Sequence, residues 1–581
     1  MFAQWVSRCL PGLSIIALLF LLLLSSPDVV FAPWRSSPRD KAPESHPVMN
    51  LAQKIFIVYT ILVHLNTLLF TGRLSWALVH VLDQTSKVMK RRTDQYMSAS
   101  EPSSPVAEVS TALDMKDAKR AATRLWVAEV AETVGEVTHA IILPNYKEDV
   151  DTLRCTLDVL ASHPRARTQY EVYLAMEQKE TSAADKAEGL VSSYGKSFAL
   201  IQATFHPADV PSEIAGKSSN VAFAARHIGQ VHQAELESGT CNVVITVMDA
   251  DTNLWQDYFT EICRMHYMHP TTANRTLYSC PIIFDRNSND SPVFVRCADL
   301  LWSFAGLSTM YPRSTVSIPT SVYSLPLALA TNVGGWDSDP TSIGEDMHMM
   351  LKCYFRTNGN LVSRVIHAPA SQCNVSSDLP RPGFRRTLDT CVARYRQALR
   401  HMWGALDSGF AARNTIREAR LSWRSFLLKP RHLALMHLLW EAHFLPCHFT
   451  ILLLFSIAYE QIAPSLNPWM IFTFQVTGLV RFLSFVAMNV NISLYNRWYK
   501  VCLQTRRNDA AQIPHGLDAG GFSDRSAWYS LPFLLERIAF PIAGTVFGAI
   551  PTVHAVFMHF ATEKLAYRVS KKPAFGVASV V

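Results

Sequence analysis

Asp249-Ala250-Asp251 follows directly on Val243-Val-Ile-Thr-Val-Met248, a β-branched apolar run that reads as a buried strand. Two carboxylates one residue apart at a strand end can face a hard divalent cation, Mg2+ or Mn2+, with oxygen ligands, leaving positions for the oxygens of a diphosphate. A D-x-D tripeptide by itself is common and most often a solvated loop or a helix cap. Its place at the end of a buried strand gives it weight.

A second carboxylate pair, Glu345-Asp346, follows Gly334-Gly335-Trp336-Asp337 and opens the apolar helical stretch Met347 to Phe355. Acidic residues at a helix start are ordinarily explained by capping and by the helix dipole. The catalytic alternative is that Asp346 takes the proton of an attacking hydroxyl. Cation attraction would lower its pKa, and desolvation and phosphate charge would raise it. A third group lies in Arg394-Tyr-Arg396-Gln397-Ala-Leu-Arg400-His-Met-Trp403. The plain reading is a basic amphipathic helix on anionic lipid. The functional one puts Gln397, Arg400 and Trp403 near one helical face, to hold a diphosphate and stack on a sugar.

The elements that must position these residues alternate in type. Strands are expected at 139–143, 171–176, 198–205 and 242–248, and helices at 149–162, 183–193 and 220–237, after a helical stretch at 107–131. This rhythm predicts an α/β, Rossmann-like domain of parallel βαβ units with ligands at the strand C-terminal ends. Polar residues do gather there: Tyr146, Lys147, Glu148 and Asp149 after the first strand, Glu177 after the second, Asp249 and Asp251 after the fourth.

Composition points to lipid as part of the solvent. Of 581 residues, 49% are apolar and only 17% charged, against roughly 25% charged in soluble domains. The net charge of +7 is modest for this length and argues against nucleic-acid binding. The 11 cysteines include no C-x-x-C and read as mostly buried free thiols, as in a reducing cytosol. Apolar runs occur at 13–26, 56–71, 445–458, 469–490 and about 541–560, the last after an interfacial piece at 531–540. Basic clusters (Lys87 to Arg92, Arg413 to Arg431, Arg497 to Arg507) place the large central region in the cytosol. Five spans would put the basic tail on the far side, against the same rule; a re-entrant last segment, interrupted at Pro541 and Pro551, would return it.

In order and context the series Pro144-Asn-Tyr146-Lys-Glu148, Glu177, Gly216-Lys217-Ser-Ser-Asn220, Asp249-Ala-Asp251, Gly334-Gly-Trp336, Glu345-Asp346 and Gln397-x-x-Arg400 resembles the membrane-bound family 2 glycosyltransferases. That group includes cellulose, chitin and hyaluronan synthases and ceramide glucosyltransferase. The resemblance implies an inverting, metal-dependent enzyme with a GT-A catalytic domain. It would move a hexose or N-acetylhexosamine from a nucleotide-sugar, a UDP-sugar first, to a polysaccharide or lipid acceptor at the cytosolic membrane face. Tyr146 and Glu148 would contact uracil and ribose, and Glu177 stands where the family usually has an aspartate. Lys217 would approach the nucleotide or diphosphate. Asp249 and Asp251 would position diphosphate and metal, with Glu345 in the substrate site and Asp346 as base. The family's tryptophan after Gln-x-x-Arg is His401 here, with the tryptophan displaced to Trp403, which weakens any expectation of processive polymerisation.

The expected division is 1–32, a signal anchor or signal peptide; 54–73, a transmembrane helix; 93–137, linker and helix; 138–405, the GT-A domain; 430–492, an interfacial helix and two transmembrane helices; 493–530, a cytosolic loop; 531–562, an interfacial and transmembrane or re-entrant segment; and 563–581, a basic tail. The rival from another class is a non-catalytic membrane scaffold or transport component with a degenerate nucleotide-binding fold. His437, His443 and His448 are spaced too unevenly to share one helical face as a metal site. Glu441, Arg481 and Arg537 are costly near lipid and are expected to line an acceptor or product path. Trp498 is expected to anchor at the interface.

Overall fold

The computed structural model describes residues 2–30, 49–100, 136–211, 213, 216–288, 291–377, 383–427, 429–463, 467–510 and 530–565. The expected helix at 107–131 and nearly all of the basic tail lie outside these residues.

A seven-stranded sheet is built from β1 (Thr138–Asn145), β2 (Tyr170–Glu177), β3 (Leu200–His206), β4 (Val243–Val247), β5 (Thr276–Ser279), β7 (Tyr323–Pro326) and β8 (Val362–Val365). Its order is β3-β2-β1-β4-β7-β5-β8, and β6 (Ile282–Phe284) pairs separately with β9 (Ala370–Gln372). The four strands expected from sequence are present within two residues and run parallel. Strand β7 is the exception to an all-parallel sheet, being antiparallel to both β4 and β5. Strand β4 is buried along its whole length, and β1 nearly so. Helices covering both faces account for their continuous apolar runs. The result is a mixed, mostly parallel α/β sheet.

The 220–237 helix is two helices, Lys217–Val231 and Gln233–Ser238, meeting at His232. Lys217 is thereby the first residue of a helix and not part of a preceding loop.

Among the described residues four helices are long and apolar enough to cross a membrane: Leu51–Arg92, Leu445–Ile462, Pro468–Arg507 and Leu531–Met558; a fifth arises if the bent pair Phe2–Arg8 and Leu10–Ser25 counts as one. They mark the chain as a membrane protein. Leu454, Phe472, Phe482 and Val490 point outward, while Phe56, Leu452, Phe455 and Phe474 pack together inside. Helices apolar on all sides are what a lipid solvent permits.

Two of these helices are far longer than a span. Leu51–Ser100 has 50 residues and Pro468–Ala510 has 43, about 75 and 65 Å at 1.5 Å per residue against a hydrocarbon core of about 30 Å. They pack on one another and carry their ends to the sheet domain: Arg91 pairs with Glu261 at 2.9 Å, Arg92 with Asp257 at 3.2 Å, and Arg506 with Asp285. The start of the linker expected from 93 and of the loop expected from 493 is therefore helix. Trp498 is not an interfacial anchor; it is enclosed between the two helices and donates to Thr85 Oγ1 at 3.2 Å.

The last segment is one helix, Leu531–Met558, and no hairpin. A π-turn at Thr545–Ala549 precedes Pro551, which has no N–H to give the preceding turn. Thr552 Oγ1 also donates to the Gly548 carbonyl at 2.7 Å. The two ends of this segment touch the same domain. Glu536 pairs with Arg296 at 2.7 Å, and the Glu563 carbonyl accepts from Trp403 Nε1 at 3.0 Å.

Candidate active site

A cavity of about 1040 Å³ runs from the C-terminal ends of β1, β2 and β4 into the helical bundle. Tyr146, Glu148, Glu177, Lys217, Asp249, Asp251, Glu345, Asp346, Gln397 and Arg400 all line it. Trp403 does not. Its indole is enclosed, donates to the Glu563 carbonyl and meets the His559 ring edge-on at 4.7 Å between centroids. The stacking role expected of Trp403 has no surface to act from.

The turn after β1 is held from behind. Lys147 has a positive φ of 60°, and its amide donates to Glu180 Oε2 at 2.6 Å. Glu180 is paired with Lys186, whose ammonium also reaches the Glu148 carbonyl at 2.7 Å. This presents Tyr146 and Glu148 to the cavity. Neither Glu180 nor Lys186 was visible as functional in the sequence, since both look like ordinary surface charges.

Lys217 joins three carboxylates. Its ammonium is 2.8 Å from Asp249 Oδ1 and 3.1 Å from Glu345 Oε2. Burial opposes its charge, but Asp249, Glu345 and Asp346 outweigh it and hold the lysine above its ordinary pKa. Glu345 is itself pushed up by burial, with Lys217 opposing. The Tyr323 hydroxyl donates to its other oxygen, and Trp336 Nε1 donates to Tyr323 at 2.6 Å. Trp336 thus acts behind the site, two contacts from the cavity.

Asp346 Oδ2 accepts from the Ser321 amide at 2.7 Å and Oδ1 from the Met347 amide at 2.8 Å. Ser321 is at φ 51°, a conformation costly for a residue with a Cβ. Lys217 also reaches the Ser321 carbonyl, at 3.4 Å. The strained residue is therefore gripped on both sides by site groups. Two residues along the same helix, His348 bridges Asp407 at 2.5 Å and Asp337 at 3.1 Å. Burial opposes protonation of this histidine, but Asp407 and Asp337 raise its pKa to about 10. Lys352 Nζ reaches Asp337 at 2.6 Å and the Gly335 carbonyl at 2.8 Å. Gly334 and Gly335 have φ of 87° and 70°, where glycine is favoured. The Gly-Gly-Trp-Asp motif is a turn locked to the Asp346 helix.

Asp251 is buried, and its Oδ2 accepts from the Cys373 amide at 3.3 Å; Arg286 holds its backbone carbonyl. Among the described residues no group of three or more His, Cys, Asp or Glu side chains forms a metal site. Asp249 and Asp251 open onto one cavity, and Lys217 already places a cation on Asp249. This donor set fits a hard cation shared with a diphosphate rather than one held by protein alone. His437, His443 and His448 have separate partners in Asn66, Ser408 and Ser14.

Towards the bundle, the His401 ring stacks on Trp302 at 4.3 Å and 30°, and both line the cavity. Trp302 was missed because its helix, Val293–Leu307, carries no motif. Glu441, Arg481 and Arg537 line the far end. Glu441 is held by Arg73 at 2.5 Å and Asn66 at 2.9 Å, Arg481 by His64 at 3.2 Å, and Arg537 by Ser493 at 2.6 Å.

Several solved structures are similar over part of the chain. Mannosyltransferase PcManGT from Pyrobaculum calidifontis, in complex with GDP-Man and Mn2+, is 12% identical over 67% of this chain and 96% of its own, with a TM-score of 0.38. S. aureus TarS is 12% identical over 45% of this chain and 39% of its own, at 0.27. GalNAc-T7 with UDP, GalNAc and Mn2+ is 9% identical over 52% and 64%, at 0.25. No curated protein matches the chain. Residues 244–485, from β4 to midway along the helix Pro468–Arg507, match the sequence profile of Glycosyl transferase family group 2. That match lies on the carboxylate-lined cavity, and over those residues the chain is similar to the glycosyltransferases of this family group.

Proposed function

We propose that this enzyme transfers a sugar, with inversion, from a UDP-sugar to a polysaccharide or lipid acceptor at the cytosolic membrane face. The observation that carries the reading is the single cavity shared by Asp249 and Asp251, by Asp346, and by the charged groups inside the bundle. The donor would lie at the strand ends, its base against Tyr146, Glu148 and Glu177, its diphosphate against Lys217, Gln397 and Arg400. A divalent cation on Asp249 and Asp251 would offset the diphosphate charge. Asp346, held by two backbone amides, accepts the acceptor hydroxyl's proton as that oxygen bonds to the anomeric carbon. The bond to the diphosphate breaks on the opposite side, and the negative charge passes to the leaving UDP.

The acceptor would enter by the bundle end, past His401 and Trp302. The basic flanks of the long helices favour the cytosolic side for the catalytic domain. Contacts of both ends of Leu531–Met558 with that domain support a segment lying along one membrane face rather than crossing it, which would keep the basic tail on the cytosolic side.

The test is purified protein with Mn2+ and a panel of radiolabelled UDP-sugars, products sorted into lipid-extractable and polymeric fractions. Metal-dependent UDP release is expected with one donor, and its loss in Asp251→Ala and Asp346→Asn. No release by the wild type with any common UDP-sugar would overturn the reading.

A further inference from the structure

Glu177 ends β2 directly opposite His206, which ends β3. The two side chains are buried and meet at 3.2 Å, His206 Nδ1 to Glu177 Oε2. The other ring nitrogen, Nε2, lies 2.8 Å from Glu213 Oε2. Glu213 is anchored in turn by Ser338 Oγ at 2.9 Å and faced by Arg226 at 3.6 Å, while the Phe223 ring closes on the histidine edge-on. One oxygen is left over. Among the described residues Glu177 Oε1 is buried without a hydrogen-bond partner, and Glu177 lines the cavity beside Asn145, Tyr146 and Lys179. A buried carboxylate oxygen without a donor costs about 1–3 kcal/mol or more, so its persistence facing a cavity points to a ligand that supplies the donor.

The number of free oxygens says which donor. A guanine edge presents two adjacent N–H donors, which suit a carboxylate with both oxygens free. A uracil edge presents one N–H between two carbonyls. We propose that His206 is a positioning residue that occupies Glu177 Oε2 and leaves Oε1 to accept the single N3–H of uracil, so that the Glu177–His206–Glu213 chain selects uridine over guanosine donors. This rests on the nucleotide-sugar reading above. Lys179, on the same wall, supplies a donor for a flanking uracil carbonyl. The extra methylene of a glutamate is accommodated because the histidine fixes where its head lies.

The chain also makes donor binding sensitive to pH. A doubly protonated ring donates to both glutamates; a neutral ring turns a lone pair towards one of them. The hydrogen bond to Glu177, against burial and with help from Glu213, holds His206 above its ordinary pKa. The grip on Glu177 therefore weakens as pH rises through that raised value.

Binding of UDP and GDP to the full-length protein in detergent, with Mn2+ and between pH 6 and 9, tests this. Wild type is expected to prefer UDP about tenfold or more, one to two hydrogen bonds' worth, with affinity falling towards pH 9. His206→Phe should lose about tenfold in UDP affinity and most of the discrimination and show a flatter pH profile, with kcat at saturating donor retained. His206→Gln, which can still donate to Glu177, should recover most of the affinity but stay flat. Unchanged UDP affinity and selectivity in His206→Phe would overturn the proposal, as would wild-type preference for GDP. If the wild type binds no nucleoside diphosphate, the nucleotide-sugar reading itself has fallen.

Discussion

Lys217 and Asp249 form an ion pair at 2.8 Å, from the first turn of one helix to the end of β4. An ammonium expected to meet the nucleotide instead stands against the carboxylate that would share the donor's cation, and against Glu345 at 3.1 Å. On the proposed reading it would stand where the cation goes when donor is absent, and would lie beside the diphosphate when donor binds.

This gives a prediction with opposite signs. In Lys217→Met the acidic cluster loses its cation, so Mn2+ alone should bind more tightly, by several-fold. UDP with Mn2+ should bind at least tenfold more weakly, because a direct partner of the diphosphate is gone. Calorimetric titrations of Mn2+ and then of UDP measure both. Parallel changes in the two affinities would show that Lys217 acts only by holding the fold.

His348 offers a stability test. Its pKa of about 10 in the fold exceeds the ordinary histidine value of about 6.5. The stabilisation is fully present below pH 6.5 and is lost as pH rises towards 10. The wild-type melting temperature should therefore fall between pH 7 and 9.5, and in His348→Gln the fall should be shallower from a lower start. His348→Ala leaves Asp407 buried and unpaired, at a cost of about 3–5 kcal/mol. Equal pH slopes in wild type and His348→Gln would refute the assignment.

The aromatic surface near the acceptor end separates two tryptophans. Trp302 lines the cavity under His401; Trp403 packs behind it against His559. Trp302→Ala should raise the acceptor KM about tenfold with donor KM unchanged, a loss matching the roughly 1–2 kcal/mol of a ring contact. Trp403→Phe should leave both KM values alone and lower the melting temperature. Steady-state kinetics with a defined acceptor decide between them.

What could be read in advance followed from local periodicity. β1 to β4 and the three carboxylates Asp249, Asp251 and Asp346 each stand beside a strand or helix whose pattern fits within a dozen residues. Strands β5, β7 and β8 have only four residues each, too few to show alternation, so the antiparallel β7 was invisible. Long-range partners were equally hidden: nothing within ten residues of His348 announces Asp407, and Trp302 meets His401 only through the packing of two helices. The displaced tryptophan misled for the same reason. Helical spacing places Trp403 near the face of Gln397 and Arg400, but the turn at Trp403–Ala405 tightens to a 3₁₀ helix and carries the indole inward. The apolar runs underreported the long helices because Leu51–Ser100 and Pro468–Ala510 continue past the lipid as polar helix, where hydropathy carries no signal.

On the proposed reading the charged residues at the bundle end would serve acceptor delivery and not donor chemistry. Arg481 reaches His64 at 3.2 Å between two apolar helices, on the wall of a cavity that begins at Asp346. A charge so placed is expensive near lipid and persists where a polar path hydrates or pairs it. Arg481→Met removes the charge with little loss of volume. Transfer to the true acceptor should fall about tenfold or more, whereas slow donor hydrolysis by water, which uses only Asp249, Asp251 and their neighbours, should stay within twofold. The ratio of sugar transferred to UDP released, from one radiolabelled donor, measures the split. An unchanged ratio would mean that the acceptor does not pass Arg481 and that the arginine serves only to tie the two helices together.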